Sequence, residues 1–314
     1  MIINRCGKSS GVSIFLGIDG GGTQTTCVVG NENSILSTAT AGPSNVVRVG
    51  ETRARESLHQ VIRDACAAAG ADPQHIEGTC IGLAGAARPE IAEPLHRLLS
   101  EVISGTIEVV GDMVIALEAA FGSGPGVIVV AGTGSIAYGR DQAGKTARAG
   151  GWGFAISDEG SGHWIGRAAI TAGFRAQDEG ENTRLLRQVL DGWQLSSLDD
   201  LVRTANASPP PDFSSVFPML LATADAGDGV ARSVLTQAGA ELARLAKLVI
   251  SRLFGEEASN IPVAMAGGVF RQSALVRQVF YNSLRAEYAN ASVNSTVIEP
   301  VKGALELARR AGRQ

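Results

Sequence analysis

The stretch GIDGGGTQTT, Gly17 to Thr26, sets one carboxylate, Asp19, at the end of an apolar run and follows it with three glycines and then hydroxyls. Ser13 to Ile18 has the pattern of a short buried strand, and Thr25 to Gly30 and Ser34 to Thr40 read as two more strands around a Gly-Asn-Glu-Asn turn. Consecutive glycines let backbone N–H groups converge on an anion without obstruction by Cβ atoms, and a threonine hydroxyl adds a donor. A bare acid at that place repels phosphate, unless a divalent cation or a water in its shell lies between the carboxylate and the phosphate oxygens. Asp19, Gly20, Gly21, Gly22 and Thr23 therefore read as a magnesium–nucleotide site. Taken alone, the same residues also suit a glycine hairpin that merely twists a sheet.

Working outward, Glu51 to Gly70 carries Leu58, Val61, Ile62, Ala65 and Ala69 at the spacing of one helix face, with Gly70 where a C-terminal cap belongs. Thr79 to Leu83 and Thr106 to Val110 are further β-type runs followed by helical pattern, which gives βα alternation and a mostly parallel core. The scheme then restarts. Gly126 to Val130 is an apolar strand, Ala131-Gly132-Thr133-Gly134-Ser135 a glycine turn, and Ile136 to Gly139 a returning strand. Helical stretches follow at Trp164 to Arg175, Thr183 to Leu190 and Val230 to Leu253, and a third apolar strand, Ile261 to Met265, runs into Ala266-Gly267-Gly268 and a helix from about Ser273. Ser208 to Phe213, with three prolines, reads as a surface loop. Two α/β lobes with matching glycine turns imply a cleft between them, and two turns of this kind favour phosphate binding more than either does alone.

Composition narrows the field. At 314 residues the chain exceeds what one core usually organises, so two domains are expected. A hydrophobic content of 45%, 18% charged residues and 39 glycines describe a globular protein with many tight turns. A formal charge of −4 supplies no basic field for a polyanion, which excludes nucleic acid as the expected partner. No run reaches the roughly 18 apolar residues of a membrane span. The four cysteines, Cys6, Cys27, Cys66 and Cys80, show no zinc spacing and read as reduced thiols in a cytoplasmic protein. Gly7-Lys8-Ser9 looks like the tail of a P-loop, but Ile2 stands where that motif needs glycine, so 1–11 reads as a flexible leader.

The two glycine turns, with Met265-Ala266-Gly267-Gly268-Val269-Phe270 as a third segment, resemble the phosphate-1, phosphate-2 and adenosine segments of the sugar kinase, Hsp70 and actin superfamily. Gly150-Gly151-Trp152-Gly153 leading to Asp158-Glu159-Gly160-Ser161-Gly162 resembles the N-acetylglucosamine kinase and BadF-type ATPase branch and is the most specific signal in the chain. The likeness runs over roughly residues 14 to 312, and Glu299-Pro300-Val301-Lys302-Gly303-Ala304 looks like the family's closing turn before a last helix that crosses back onto the first lobe. The resemblance implies two actin-like, ribonuclease H-like α/β lobes with mixed five-stranded sheets. The N-terminal lobe would span 12–117 plus 301–314, and the C-terminal lobe 118–300.

The same resemblance implies ATP and Mg2+ as cofactors and phosphorylation of an amino sugar, foremost N-acetylglucosamine at its 6-hydroxyl, with glucosamine or N-acetylmuramate as alternatives. Asp112, after the strand Thr106 to Val110, occupies the family's catalytic-base position; without the resemblance it also reads as an N-cap of the following helix. Asn45, Ser135, Gly151, Trp152, Gly153 and Asp158 would line the sugar, and Gly20 to Thr23, Thr133, Gly134, Gly267, Gly268 and Arg271 the nucleotide, with Asp19 holding Mg2+ through water. Trp152 suits a sugar face or a packing anchor, and His163 reads as a surface histidine at a helix start. Adjacent Asp158 and Glu159 would not share a face, which argues against a hydrolase carboxylate pair. A homodimer is the family expectation.

Phe154 stands where many relatives have His, Ser157 where many have Gly, and Ala84 where some have Ser, which bears on the choice of sugar rather than on the reaction. Two rivals share the nucleotide loops. Dehydratase-activating ATPases bridge an iron–sulfur cluster with cysteines from the later half of the chain, and this chain has no cysteine after Cys80. A regulatory sugar sensor without turnover would be expected to carry a helix-turn-helix extension or basic patch, which the sequence does not show.

Overall fold

A computed structural model of the chain describes residues 12–86, 88–255 and 260–312. The expected leader over 1–11, with Cys6 and the Gly7-Lys8-Ser9 decoy, lies outside the described residues. In chain order the elements are β1 (Phe15–Gly20), β2 (Thr25–Gly30), β3 (Ile35–Ala41), α1 (Val46–Ala69), β4 (Gly78–Leu83), α2 (Pro89–Ser100), β5 (Thr106–Val110) and α3 (Asp112–Phe121). The order then repeats its opening with β6 (Gly126–Ala131), β7 (Ser135–Arg140), β8 (Thr146–Gly150), α4 (Gly162–Glu179), α5 (Leu185–Trp193), α6 (Leu198–Ala205), α7 (Phe217–Asp225) and α8 (Gly229–Leu253). It ends with β9 (Ile261–Ala266), α9 (Gly268–Gln272), α10 (Ala274–Arg285), β10 (Ala291–Ile298) and α11 (Pro300–Ala311). Two compact units result: residues to Ala119 with those from Pro300 on, and Ala120–Glu299.

The first unit is built on a mixed sheet of order β3-β2-β1-β4-β5. β1, β2 and β3 pair antiparallel, while β1, β4 and β5 run parallel. Leu16, Ile18, Val29, Ile81 and Leu83 face Leu58, Val61 and Ile62 of α1 and Leu95, Leu98 and Leu99 of α2. The opposite face, with Phe15, Val28 and Cys80, packs against Ile115 of α3 and Val301, Ala304, Leu305 and Ala308 of α11. Burial on both faces is why β4 reads as a continuous run without alternation. Gly17 is required by this packing, because a Cβ there would lie 2.4 Å from the backbone nitrogen of Leu305. Arg309 ties α11 to the β2–β3 turn, its Nε donating to Asn31 O at 2.7 Å and its Nη2 to Ser34 O at 2.9 Å, and Arg310 pairs with the buried Glu118.

α1 begins five residues before the sequence pattern suggests, because it includes a first turn that ends in a kink at Gly50 (φ 77°). Gly70, at φ 64°, ends the helix in a left-handed cap, with Ala71 N–H donating to Cys66 O. Cys27, Cys66 and Cys80 are buried free thiols. Burial pushes the Cys66 thiol up to about 11 and those of Cys27 and Cys80 further still, so they act as core filler.

The second unit repeats the sheet with the order β10-β9-β6-β7-β8. β6–β7 and β7–β8 are antiparallel, and β6, β9 and β10 are parallel. Val127, Val129, Ala137 and Val263 pack against the long α8, whose inner face carries Leu235, Leu242, Ala246 and Val249. Asp228 caps α8 by accepting from Ala231 N–H at 3.0 Å, and it also holds the start of α5 through Thr183 Oγ1 and Arg184 N–H. β8, β10, α6 and α7 are elements that the sequence pattern left unassigned.

Candidate functional site

In the first unit the parallel strands β1, β4 and β5 end along one edge, the position at which open α/β sheets present ligand-binding turns. Asp19 pairs with Gly82 and Gly82 with Val110, so all three share one row. Two interstrand spacings of about 4.8 Å put Asp19 and Val110 roughly 10 Å apart, with Asp112 two positions further along the chain. Asp112 is half-buried and is the first residue of α3. Its Oδ1 accepts from Met113 N–H at 3.0 Å, not from the second or third amide that an N-cap serves. Desolvation raises its pKa, and backbone hydrogen bonds from Met113 and from Asp112 itself oppose that rise. The result is a carboxylate more basic than an exposed one.

The Gly20–Thr23 turn is closed by Gly21 N–H, which donates to Gln24 O at 3.0 Å, so this amide is committed to the turn. A Cβ on Gly21 would lie 2.3 Å from the same oxygen, which explains the glycine sterically. Ser44 N–H donates to Gly21 O, and the buried Thr25 Oγ1 bridges Gly42 O and Ser44 Oγ at 2.8 Å each, fastening the next residue, Asn45, beside the turn. Asn45 occupies the N-cap position of α1 without making a side-chain cap bond, and its Oδ1 is buried without a hydrogen-bond partner among the described residues. A buried acceptor left unpaired costs on the order of 1–3 kcal/mol, and a ligand hydroxyl would remove that cost.

In the second unit the Gly132–Ser135 turn is clasped from outside. Gly132 N–H donates to Gly134 O, and Gly132 O accepts from Gly162 N–H at 2.8 Å, a bond from the first turn of α4. Ser135 is buried and its Oγ donates to Glu159 O at 2.7 Å. Asp158 is buried and left-handed (φ 67°), with its carboxylate against Gly134, where a Cβ would meet Oδ2 at 2.9 Å. A non-glycine residue held there stores about 1–2 kcal/mol of strain, a common signature of a functional position. Glu159 turns instead toward Ser157 and Arg244, so the two adjacent acids do not form a pair. Gly267 (φ 98°) caps α9, and a Cβ there would strike Ala131 O at 2.3 Å, because the turn between β9 and α9 lies against the end of β6. Gly268 opens α9; Arg271 is exposed on it, and its carbonyl accepts from Arg277.

Gly151 (φ 70°) and Gly153 (φ 101°) flank Trp152, which is 67% exposed and therefore no packing anchor. Arg148 Cζ lies 3.9 Å from the centre of its ring. His163 corrects the surface reading given above. It is buried, between Phe154 at 4.8 Å and Phe213 at 5.3 Å, because α4 starts beneath the β6–β7 turn. The local sequence held one cue, a helix start between glycines, but the partner Phe213 is 50 residues away. A cavity of about 710 Å³ lies between 154–157, Glu159, α4 and the start of α8, and none of the expected sugar-lining residues borders it.

Asp19, Gly20 to Thr23, Asn45 and Asp112 thus fall in the first unit, and Thr133 to Ser135, Gly151 to Gly153, Asp158, Gly267, Gly268 and Arg271 in the second. Among the described residues no group of three or more His, Cys, Asp or Glu could hold a metal ion, and no helix is long and apolar enough to cross a membrane. An ion held by one carboxylate, phosphate oxygens and water needs no such group, so Asp19 fits that arrangement.

An N-acetylmuramic acid/N-acetylglucosamine kinase of Clostridium acetobutylicum is 33% identical over 301 residues, covering 94% of this chain and 97% of its own length. An N-acetyl-D-glucosamine kinase of Dictyostelium discoideum is 29% identical over 312 residues, with the same coverage. Among solved structures, a candidate N-acetylglucosamine kinase from Chromobacterium violaceum superposes with a TM-score of 0.73 at 25% identity, covering 95% of this chain and 99% of the other. The sequence pattern of the BadF/BadG/BcrA/BcrD ATPase family matches residues 16–308. With both sheets, their topology and this match in agreement, the chain belongs to the BadF/BadG/BcrA/BcrD ATPase family.

Proposed function

We propose that the chain transfers the γ-phosphoryl group of ATP to a hydroxyl of an amino sugar, with N-acetylglucosamine to its 6-phosphate as the principal reaction. The observation that carries this reading is Asp112, a half-buried carboxylate raised in pKa by desolvation, just past the strand row that holds Asp19. In the proposed step the sugar hydroxyl oxygen bonds to the γ-phosphorus, the bond to the bridging oxygen breaks, ADP leaves, and the hydroxyl proton passes to Asp112. Asn45, Ser135, Gly151 to Gly153 and Asp158 hold the sugar; Gly20 to Thr23, Thr133, Gly134, Gly267, Gly268 and Arg271 serve the nucleotide. Asp19 would hold Mg2+, whose chemistry is to neutralise charge on the phosphate oxygens. The similarity to curated amino-sugar kinases across nearly the whole chain supports this assignment.

A coupled ADP-release assay across N-acetylglucosamine, glucosamine, N-acetylmuramate and glucose tests it. Sugar-dependent release with an amino sugar is expected; ADP release indifferent to any sugar would overturn the kinase reading. The reading includes a cytoplasmic homodimer, and sedimentation of the purified chain as a monomer would remove that part.

A further inference from the structure

β8 ends in Arg148-Ala149-Gly150 and continues into Gly151 and Trp152. Gly150 (φ 73°) and Gly151 (φ 70°) are successive left-handed glycines, a conformation that L side chains resist. They turn the chain back on itself, so the Trp152 ring comes to lie over the guanidinium four residues earlier, 3.9 Å from Cζ to ring centre. The strand beneath is held from another side, since Arg252 Nη1 donates to Arg148 O at 2.7 Å. Among the described residues no carboxylate pairs with the Arg148 side chain, and none of its N–H groups finds a protein acceptor. A guanidinium fixed on an aromatic face loses little further freedom when it meets an anion, and its planar fork suits a carboxylate held by two parallel hydrogen bonds.

We propose that Arg148, held against Trp152, is a specificity-determining residue that reads a carboxylate borne on the amino sugar. This deepens the function proposed above and rests on its placement of the Gly151–Gly153 loop at the sugar. The acceptors therefore extend from neutral amino sugars to one with an acidic substituent, such as the ether-linked carboxylate of N-acetylmuramate. The transferred group, the attacked hydroxyl and the base are unchanged. A neutral amino sugar uses the same loop without this ion pair.

The test measures kcat/KM and, separately, calorimetric binding for N-acetylmuramate and N-acetylglucosamine in wild type, Arg148→Met and Arg148→Lys, each checked by circular dichroism. Arg148→Met is expected to lower the N-acetylmuramate to N-acetylglucosamine ratio on the order of ten- to a hundred-fold, the range of a lost charge-assisted pair. Arg148→Lys should fall between, because it keeps the charge and loses the fork. The loss should reside in KM and in the binding constant. Equal effects on both sugars would mean that Arg148 merely supports Trp152, and a rise confined to the KM for ATP would mean that it meets phosphate; either overturns the proposal. Wild type active on N-acetylglucosamine and inert on N-acetylmuramate would overturn it while leaving the kinase reading intact. Failure on every amino sugar would remove the reading beneath both.

Discussion

At the β1–β2 turn, Gly21 closes onto Gln24 and the flanking 42–44 segment is tied in through Thr25 and Ser44. At the β6–β7 turn, two other segments converge: 158–162, which sets Asp158 against Gly134 and the start of α4 on the Gly132 carbonyl, and Gly267, which lies against the end of β6. Each turn follows a strand that is antiparallel to one neighbour and parallel to the other. The first edge presents polar side chains from three elements, Asp19 at the end of β1, Asn45 at the start of α1 and Asp112 at the start of α3. The second is a backbone grip braced by a buried acid and a helix start. The same strand arrangement thus carries two kinds of turn, one flanked by polar side chains and one braced by a buried acid and a helix start.

The largest effect expected from breaking this contrast is at Asp112. Asp112→Asn should lower kcat on the order of a hundred-fold or more, the scale of a lost general base, while sugar binding persists in calorimetry. Its stability effect has a definite sign. A carboxyl group whose folded pKa is raised favours the fold fully below its unfolded value, and that contribution is lost as pH rises through the folded value. Asp112→Asn should therefore melt above wild type at neutral pH, with the gap closing in acid. Catalysis by wild type should fall off on the acid side at a pH above the usual carboxylate value of about 3.9.

Asn45→Ala comes next, raising the sugar KM on the order of tenfold or more with little loss of melting temperature, because the unpaired Oδ1 contributes nothing to the unliganded fold. A large drop in melting temperature would assign Asn45 to structure instead. The two turns can then be compared directly. Gly21→Ala forces a Cβ onto a backbone oxygen, whereas Gly134→Ala meets the end of a side chain, so the KM for ATP should rise more in Gly21→Ala, on the order of tenfold for about 1.4 kcal/mol of distortion. The reverse order would undo the contrast. The smallest change is Ser161→Ala, which removes the cap bond to Trp164 N–H and should cost about 1 kcal/mol in denaturant unfolding while loosening the brace on Gly132.

The glycine turns and the strands that lead into them were legible because short apolar runs closed by glycine have the length and flanks of strands. β8, with the sequence TARAG, offers neither alternation nor an apolar run, and β10 is a polar edge strand whose register shifts between Val293 and Val297. Both become strands through pairing with neighbours that local sequence does not encode. At the site, residue types pointed to the turns but not to their internal accounting: that Gly21 and Gly132 commit their amides within the turns is a property of closure geometry. The burial of His163 depends on Phe213 and could not be read locally.

α11 has a consequence for synthesis. The first unit needs residues from both ends of the chain, with Gly17 abutting Leu305 and Arg309 holding the β2–β3 turn, while the second unit is one continuous segment. A ribosome delivers the chain from its N-terminus, so the later-made unit is expected to mature first, and the opening strands must wait with one face covered by α3 alone until α11 emerges.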